Sequence, residues 1–257
     1  MAELNGEPIS VDQLKTLALT GYGHFTSMRV EDGRVRGLSL HQDRLVRDCR
    51  ALFDAELDPE RVRDLVRRVA PTAGACVVRV TIFDPKFDMG HPGAKADPQV
   101  LVTTRPTGNL PLPPLRVQAR KYVRDLPGVK SVGLFGTLLH RRAAQLDGFD
   151  DALFVDEQSL VSEGGTWNIG FFDQDRVIWP EADCLVGVTM QLLKDAHTYD
   201  EIPIRLADIA DMQAVFATNA AIGVRAVSGV DDIALTDTHP IIDTLRKAYM
   251  EVPSDPL

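Results

Sequence analysis

Residues 129–169 read VKSVGLFGTLLHRRAAQLDGFDDALFVDEQSLVSEGGTWNI, and this stretch decides the fold. Residues 133–146 predict a helix, and the short apolar run at 151–155 is typical of a buried strand. Glu163 follows a second apolar run and precedes two glycines, before another predicted strand at 167–172. A carboxylate between two buried strands caps a turn, holds a cation or faces a ligand. The local sequence leaves these three alternatives open.

The rest of the chain continues the same mixture of helices and strands. An Asp-Gly pair at 32–33 predicts the turn of a hairpin over 23–38, and LNGEP predicts a tight turn between short strands. Further helices are predicted over 39–55, 58–70, 188–197 and 239–252. Further strands are predicted over 75–83, 99–105, 176–180, 212–220 and 223–227.

A Pro-rich stretch, RPTGNLPLPPLR at 105–116, separates two groups of predicted elements. We therefore predict a small α+β domain over 1–115, an interdomain linker over 116–128 and a larger domain over 129–257. The fold class is α+β with two domains. The sequence has no Gly-rich dinucleotide fingerprint, nucleophile elbow or phosphate-binding loop, so those folds have no support.

Composition limits the possible partners and the compartment. The net charge of −9 argues against nucleic-acid binding, which needs clustered Lys and Arg. The 3 cysteines are far apart and there is no His cluster at metal spacing, so we expect free thiols and no metal site. We expect no signal peptide and no membrane span, and we predict a cytoplasmic protein.

Four polar features carry candidate chemistry. Lys130 lies between a Pro-Gly turn and an apolar stretch, where lost hydration would favour an uncharged, nucleophilic amine. Glu163 could hold a pyridine nitrogen protonated. Residues 187–189, Gly-Val-Thr, open a helix whose free amides could bind phosphate, and Arg44 could contact phosphate bidentately. Taken singly, each feature has a more common explanation. Lys130 and Arg44 would be exposed side chains, Glu163 would be a turn residue, and residues 187–189 would be an ordinary helix start.

Their order along the chain is more specific than any one of them. The succession of Arg44, Lys130, Glu163 and the Gly-Val-Thr turn resembles fold-type IV pyridoxal-phosphate enzymes, the class IV aminotransferases. Local strings agree: GHFTSMRVEDGRVRGLSLHQDRL is similar to that family's first hairpin and helix, CLVGVTMQLL to its phosphate turn, and TNAAIGVRAV to its last cofactor loop. The resemblance spans nearly the whole chain and implies a D-amino-acid aminotransferase-like fold.

The resemblance implies roles for individual residues. Lys130 matches the lysine that forms the Schiff base, and Glu163 matches the partner of the pyridine nitrogen. The further residues expected to bind pyridoxal 5'-phosphate are Arg44, Asn168, Val188, Thr189, Asn219 and Ala220.

Substrate contacts are where the sequence departs from the family. Strand alternation places Phe25, Ser27 and Arg29 on one face, which we expect to line the substrate side together with Trp167. Arg29 could instead pair with an acid on its own hairpin. Many relatives have tyrosine where this chain has Phe135, and an Arg-Gly turn where it has FDPKFDMGHPG. Lys86 and His91 of that loop are possible replacements.

The resemblance predicts a transferase, an aminotransferase that moves an amino group from an amino acid or amine to a 2-oxo acid through Lys130. The first alternative is an aminodeoxychorismate lyase-type elimination that releases pyruvate. The second is a non-catalytic relative of the fold, suggested by the altered loop at 83–93. The resemblance also implies a homodimer with small-molecule substrates.

Overall fold

The computed structural model describes residues 2–257. Its helices are α1 (Val11–Thr20), α2 (Leu38–Phe53), α3 (Pro59–Val69), α4 (Phe135–Leu146), α5 (Val188–Ala196) and α6 (Pro240–Glu251), with a 3-10 helix at Leu206–Asp211. Its strands are β1 (Ala2–Leu4), β2 (Glu7–Pro8), β3 (His24–Glu31), β4 (Arg34–Arg36), β5 (Ala75–Phe83), β6 (Gln99–Pro106), β7 (Leu115–Lys121), β8 (Asp151–Val155), β9 (Val161–Gly164), β10 (Asn168–Asp173), β11 (Arg176–Pro180), β12 (Tyr199–Ile202), β13 (Ala214–Asn219), β14 (Gly223–Val230), β15 (Ile233–Ala234) and β16 (Ser254–Pro256).

Residue contacts divide the chain into two compact units. The first unit comprises Met1–Gly108, Val129–Gly133 and Pro253–Leu257, and the second comprises Asn109–Gly128 and Leu134–Val252. The short segment Val129–Gly133 joins the first unit because it pairs with the start of β3. The units differ in this respect from the predicted domains, which placed the segment in the C-terminal domain.

The first unit is built on one sheet. Within residues 2–257 this sheet has seven strands in the order β16-β4-β3-β5-β6-β1-β2, all paired antiparallel. One face is apolar and packs against α2 and α3. Its fully buried side chains include Val30, Val78, Val80 and Ile82. Alternation along the strands therefore leaves the opposite face able to carry polar groups.

The predicted hairpin is confirmed. Asp32 and Gly33 have positive φ values of 50° and 70°, the geometry of a two-residue type I′ turn. Val30 pairs with Val35 across the hairpin. The turn over LNGEP is confirmed in the same way, since β1 and β2 pair around Asn5 and Gly6.

The two predicted helices after the hairpin are confirmed as α2 and α3. Asp58 caps α3 by accepting a hydrogen bond from the Glu60 amide at 2.9 Å, and Pro59 occupies the first turn. The buried face of α2 includes three polar residues, His41, Arg44 and Asp48. Buried polar groups on an otherwise apolar face need partners, and for these three the surroundings include Lys130.

Helix α1 is not predicted by apolar periodicity. Its residues are exposed or half-buried, so the spacing of its apolar side chains gives no clear stripe. A capping box marks its start: the side chains of Ser10 and Gln13 each accept a hydrogen bond from the other's amide. The pattern Ser-x-x-Gln at 10–13 is a sequence signal that could have located this helix.

The second unit contains a larger sheet. Within residues 2–257 it has nine strands in the order β12-β11-β10-β13-β14-β7-β8-β9, with β15 paired to β14. Strand β7 runs parallel to both of its neighbours, β14 and β8. One core contains Ile169, Phe171 and Val215, and α5 and α6 enclose a second core around Trp179 and Phe216.

The predicted linker over 116–128 contains part of strand β7 in the structure. Leu115 and Val117 are buried in the core of the second unit, whereas Arg116 between them is exposed. The Pro-rich stretch at 105–116 ends as this alternation begins, so composition indicates a connection before β7, and the linker bounds of 116–128 stay a prediction.

Cys49, Cys76 and Cys184 are free thiols, as predicted from their separation in the sequence. None of the helices within residues 2–257 is long and apolar enough to cross a membrane.

Candidate active site

The backbone of Lys130 is fixed on both sides within the first unit. The Lys130 amide donates to Oδ2 of Asp48 at 3.0 Å, and its carbonyl accepts from the Phe25 amide at 2.9 Å. The Val132 amide also donates to the carbonyl of Gly23. A Cβ at Gly23 would lie 2.6 Å from the carbonyl oxygen of Ile82, so only glycine allows this close approach.

The side chain of Lys130 lies over an aromatic ring, and its charge acts on a buried imidazole. Its Nζ lies 5.0 Å from the centroid of the Phe25 ring. His41 is 1% exposed, and its Nδ1 lies 2.7 Å from the Thr26 hydroxyl. Burial lowers the pKa of His41 to about 3, and the charges of Arg44 and Lys130 add to this effect. His41 is therefore neutral at physiological pH and lies beside two cations.

Arg44 is buried on α2. It is 5% exposed. Like Lys130, it is close enough to His41 for its charge to lower the pKa of that imidazole. Two cations in one buried region favour an anionic ligand there. The structure therefore brings Arg44 and Lys130 together within the first unit.

Glu163 of the second unit pairs with a cation, as one of the three alternatives for its position predicts. It lies on β9, is 8% exposed, and its Oε1 accepts from Nε of Arg124 at 2.8 Å. Arg124 also donates to the Pro127 carbonyl. Arg124 is a residue that the sequence did not reveal, because 39 positions separate the partners and no local pattern links them.

Trp167, expected on the substrate side, is packed into the core of the second unit. It is 4% exposed, and its indole N–H donates to Asp151 at 3.0 Å. Its ring lies over Gly164, where a Cβ would come within 2.0 Å of the indole. The two glycines after Glu163 therefore make room for Trp167 and for the Arg141 side chain.

Asn168 shapes the turn before α5. Its Nδ2 donates to the Leu185 carbonyl at 2.7 Å, and its Oδ1 accepts from the Gly187 amide at 3.0 Å. A Cβ at Gly187 would lie 2.1 Å from Oδ1 of Asn168, so the turn requires glycine. Asn168 thus acts on the predicted phosphate turn through Gly187.

The start of α5 has the features of an anion site. Val188 and Thr189 are its first two residues, so their amides point out of the helix without intrahelical partners. Thr189 is 0% exposed, and within residues 2–257 its hydroxyl has no hydrogen-bond partner. A buried hydroxyl without a partner is costly unless a ligand supplies one, and a phosphate oxygen would do so.

Asn219 organises the last predicted cofactor loop. Its Oδ1 accepts from the amides of Ala221 and Ile222 at 2.8 and 3.0 Å, and its Nδ2 donates to the Thr166 carbonyl at 3.0 Å. Ala220 lies in the same turn and is half-buried. Asn219 therefore sets the backbone geometry of the turn, and Ala220 contributes only a methyl group and its peptide.

The three residues of β3 that we predict on the substrate side, Phe25, Ser27 and Arg29, differ in their contacts. Phe25 lies beside Lys130, as described above. Arg29 pairs with Glu31 at 2.7 Å and donates to the Thr107 hydroxyl, so the alternative interpretation of Arg29 is the observed one. Ser27 is half-buried and pairs with Arg79 across the strands.

Arg79 is a second residue that the sequence did not reveal. Its guanidinium carbon lies 3.6 Å from the centroid of the Phe25 ring, and its Nε donates to the Thr81 hydroxyl at 3.3 Å. Burial lowers its pKa, and among residues 2–257 no carboxylate forms an ion pair with it. An arginine inside the apolar strand ACVVRVTIF was the available signal.

A cavity of about 380 Å³ lies on the same face of the first unit. Its lining combines the Arg79 cation, two threonine hydroxyls and apolar side chains: Leu17, Gly21, Arg79, Thr81, Leu101, Thr103 and Val132. A small concave site with one cation and an apolar wall suits a ligand with one carboxylate and an aliphatic part.

The loop at 83–93 contributes less than its sequence suggested. Lys86 is exposed, and the exposed His91 ring lies 2.8 Å from Asp88 of the same loop. Phe135, at the position of the family's tyrosine, is 81% exposed at the start of α4. Neither His91 nor Phe135 is therefore shielded from solvent within its own unit.

The family is settled by a match to a whole-family model. The model described as Amino-transferase class IV matches residues 23–230. The chain belongs to this family. This class IV aminotransferase is therefore an enzyme that uses pyridoxal phosphate, and the predicted family, fold class, cofactor and transaminase activity are confirmed.

Individual relatives agree with this assignment. A protein named probable branched-chain-amino-acid aminotransferase from Rickettsia conorii (strain ATCC VR-613 / Malish 7) is 25% identical over 281 residues, covering 97% of this chain and 94% of the relative. The solved branched-chain aminotransferase of Thermoproteus uzoniensis, with norvaline, has a TM-score of 0.86 at 18% identity, covering 97% and 93% of the two chains. A hypothetical aminotransferase from Mycobacterium tuberculosis, solved in a PLP-bound form, has a TM-score of 0.80 at 22% identity, covering 98% of each chain. These structures share the fold of the enzyme.

The residues present fit the cofactor. The unsatisfied Thr189 hydroxyl and the free amides at the start of α5 suit its phosphate, and Glu163 is a carboxylate kept beside a cation. Lys130 is a half-buried amine on a rigid backbone. The phosphate, the pyridine nitrogen and the carbonyl of pyridoxal phosphate thus each have a candidate partner of matching type among the predicted site residues.

Proposed function

We propose that this enzyme transfers the amino group of an aliphatic α-amino acid to a 2-oxo acid, with Lys130 as the catalytic residue. Its Nζ would hold the cofactor covalently and, once displaced by the amino group of the substrate, would carry a proton as general base and acid. Pyridoxal phosphate supplies an electron sink for the negative charge that develops on the substrate carbon. Glu163 would keep the pyridine nitrogen protonated, and Arg44, Val188 and Thr189 would supply contacts to phosphate.

The observation that supports an amino-acid substrate is the position of Arg79. Arg79 and Lys130 both lie close to Phe25, whose ring centroid is 3.6 Å from the guanidinium carbon and 5.0 Å from Nζ. A carboxylate bound by Arg79 would leave the rest of the substrate near the reactive amine. The apolar lining from Leu17, Leu101 and Val132 suits an aliphatic side chain, and the names of the relatives favour branched-chain substrates.

Replacing Arg79 by leucine tests this proposal. We expect the KM for the amino acid to rise about 10- to 100-fold with a small change in kcat, because a charge-assisted hydrogen bond to the carboxylate is lost. The measurement compares valine, leucine and isoleucine with the amines that lack their carboxylate. Arg105→Leu is the matched control, since Arg105 is exposed on the neighbouring strand β6. Equal use of amino acids and amines by the wild type would contradict the proposal.

The two alternatives stay distinguishable. Release of pyruvate from aminodeoxychorismate without an added oxo acid would favour the lyase. A protein that binds the cofactor but converts it to the amine form with no donor from L-, D- and simple amine panels would favour the non-catalytic relative. The pairing of Glu163 with Arg124 and the burial of Arg44 support a working site over a relic.

We also propose that the enzyme is a cytoplasmic homodimer that binds small molecules. Three free thiols suit a reducing compartment. Along α4, the side chains of Phe135, Leu138 and Leu139 are 81%, 52% and 52% exposed. Large apolar side chains at this helical spacing form a face that a second copy would cover.

Aspartate at Leu139 is expected to convert the dimer to a monomer, because a charge would be buried in the interface. Light scattering after size-exclusion chromatography measures the mass of the particle. Val11→Asp is the control, since Val11 is 84% exposed on α1 and should tolerate a charge. A wild-type protein of monomer mass, or an L139D variant that stays dimeric, would count against this interface.

A further inference from the structure

Asp48 occupies an unusual place for a charged side chain. It is 0% exposed on α2, one turn after Arg44. Its Oδ2 accepts the Lys130 amide at 3.0 Å, while Oδ1 accepts from Nε and Nη2 of Arg47 at 3.0 and 2.7 Å. Both carboxylate oxygens are thus used, one by a counter-ion and one by the backbone of the reactive lysine.

The residues around the hydrogen bond between Asp48 and the Lys130 amide are Phe25 and His24. On the other side of the residue, the Lys130 carbonyl accepts from Phe25 at 2.9 Å. His24 is also 0% exposed, and burial lowers its pKa to about 4, against the effect of the nearby Asp48 charge. His24 is therefore neutral, and the Asp48 carboxylate accepts hydrogen bonds from Arg47 and from the Lys130 amide. A hydrogen bond to a carboxylate is about twice as strong as one to a neutral acceptor.

We propose that Asp48 is a positioning residue for Lys130. By fixing the Lys130 amide, it sets the direction in which the side chain leaves the backbone and so the place of Nζ over Phe25. Misplacing a reacting group by about 1 Å can cost about 100-fold in rate. The inference rests on the proposed role of Lys130 and extends it, since no sequence motif connects position 48 with position 130.

The test separates backbone position from overall stability. Asp48→Leu keeps the approximate volume and removes the acceptor, Asp48→Asn keeps an acceptor without charge, and Arg47→Gln removes the counter-ion only. Asp43→Asn is the control, because Asp43 is an exposed acid on the same helix. Two quantities are measured: amide hydrogen exchange of the peptide covering 129–133 in the cofactor-free protein, and the rate at which borohydride fixes added pyridoxal phosphate to Lys130, followed by mass spectrometry.

We expect D48L to exchange the Lys130 amide at least about 10-fold faster and to be labelled about 10- to 100-fold more slowly, because the hydrogen bond is lost. D48N should fall between D48L and the wild type. R47Q and D43N should be labelled at the wild-type rate, even if R47Q melts at a lower temperature.

Each result has a distinct meaning. A D48L protein that melts earlier but is labelled as fast as the wild type would overturn the positioning role and leave Asp48 with a structural one. If D48L does not fold, D48N decides: wild-type exchange together with wild-type labelling would overturn the inference. Failure to label Lys130 in the wild type would instead overturn the proposed function and this extension of it, whereas the exchange data would still report on the backbone contact.

Discussion

Replacement of Lys130 by alanine is expected to reduce turnover by at least about 1,000-fold. The amine at this position is proposed both to bond the cofactor carbonyl and to carry a proton, and acid–base catalysis alone contributes about 10²- to 10⁴-fold. The fold should survive, because the hydrogen bonds of position 130 with Asp48 and Phe25 use its backbone atoms. Transamination and visible absorbance after addition of pyridoxal phosphate measure the two effects.

Two further variants sharpen this prediction. Lys130→Arg keeps the positive charge, but guanidinium does not lose its proton in proteins and cannot act as the nucleophile, so it should be as inactive as K130A. Lys121→Ala is the control, since Lys121 is an exposed lysine paired with Glu157 at 3.1 Å and should leave turnover unchanged. Borohydride labelling found on another peptide, or substantial turnover by K130R, would refute the assignment.

The candidate site residues that the sequence predicts are those that belong to local motifs in a recognisable order along the chain. Lys130 and Glu163 stand in recognisable strings, and Gly187 precedes a helix whose start is evident from its apolar spacing. The alternation of β3 correctly separates Phe25 from Thr26, because side chains of a strand alternate between faces whatever its partners are.

Long-range partners cannot be predicted in this way. Arg124 reaches Glu163, and Asp48 reaches Lys130, across separations of 39 and 82 residues, and only the folding of each unit brings them together. The packing of Trp167 could not be predicted for a related reason. Its ring lies over Gly164 in the core, a position that depends on the missing Cβ of that glycine and that no cofactor-loop motif encodes.

Glutamine at position 163 is expected to lower turnover about 100- to 1,000-fold while the cofactor remains bound. The amide cannot keep the pyridine nitrogen protonated, so the ring becomes a poor electron sink, and loss of one fixed electrostatic interaction costs about this much in other enzymes. Labelling of Lys130 by borohydride should be retained, which separates this variant from K130A. The half-reaction with an amino acid, followed by absorbance, reports the chemical step directly.

The same substitution also changes stability, and the two effects need to be separated. Arg124 and Glu163 have side chains only 17% and 10% exposed, so E163Q leaves a largely buried cation with a neutral neighbour. Arg124 keeps its bond to the Pro127 carbonyl, which limits the loss to about 1–3 kcal/mol, a fall in Tm of about 2–4 °C for each kcal/mol. The double variant E163Q/R124M removes both charges and should regain stability without regaining turnover. Glu157→Gln, at an exposed pair, should change neither quantity. If the double variant recovered wild-type turnover, Glu163 would serve only as the counter-ion of Arg124, and the ring nitrogen would need another partner.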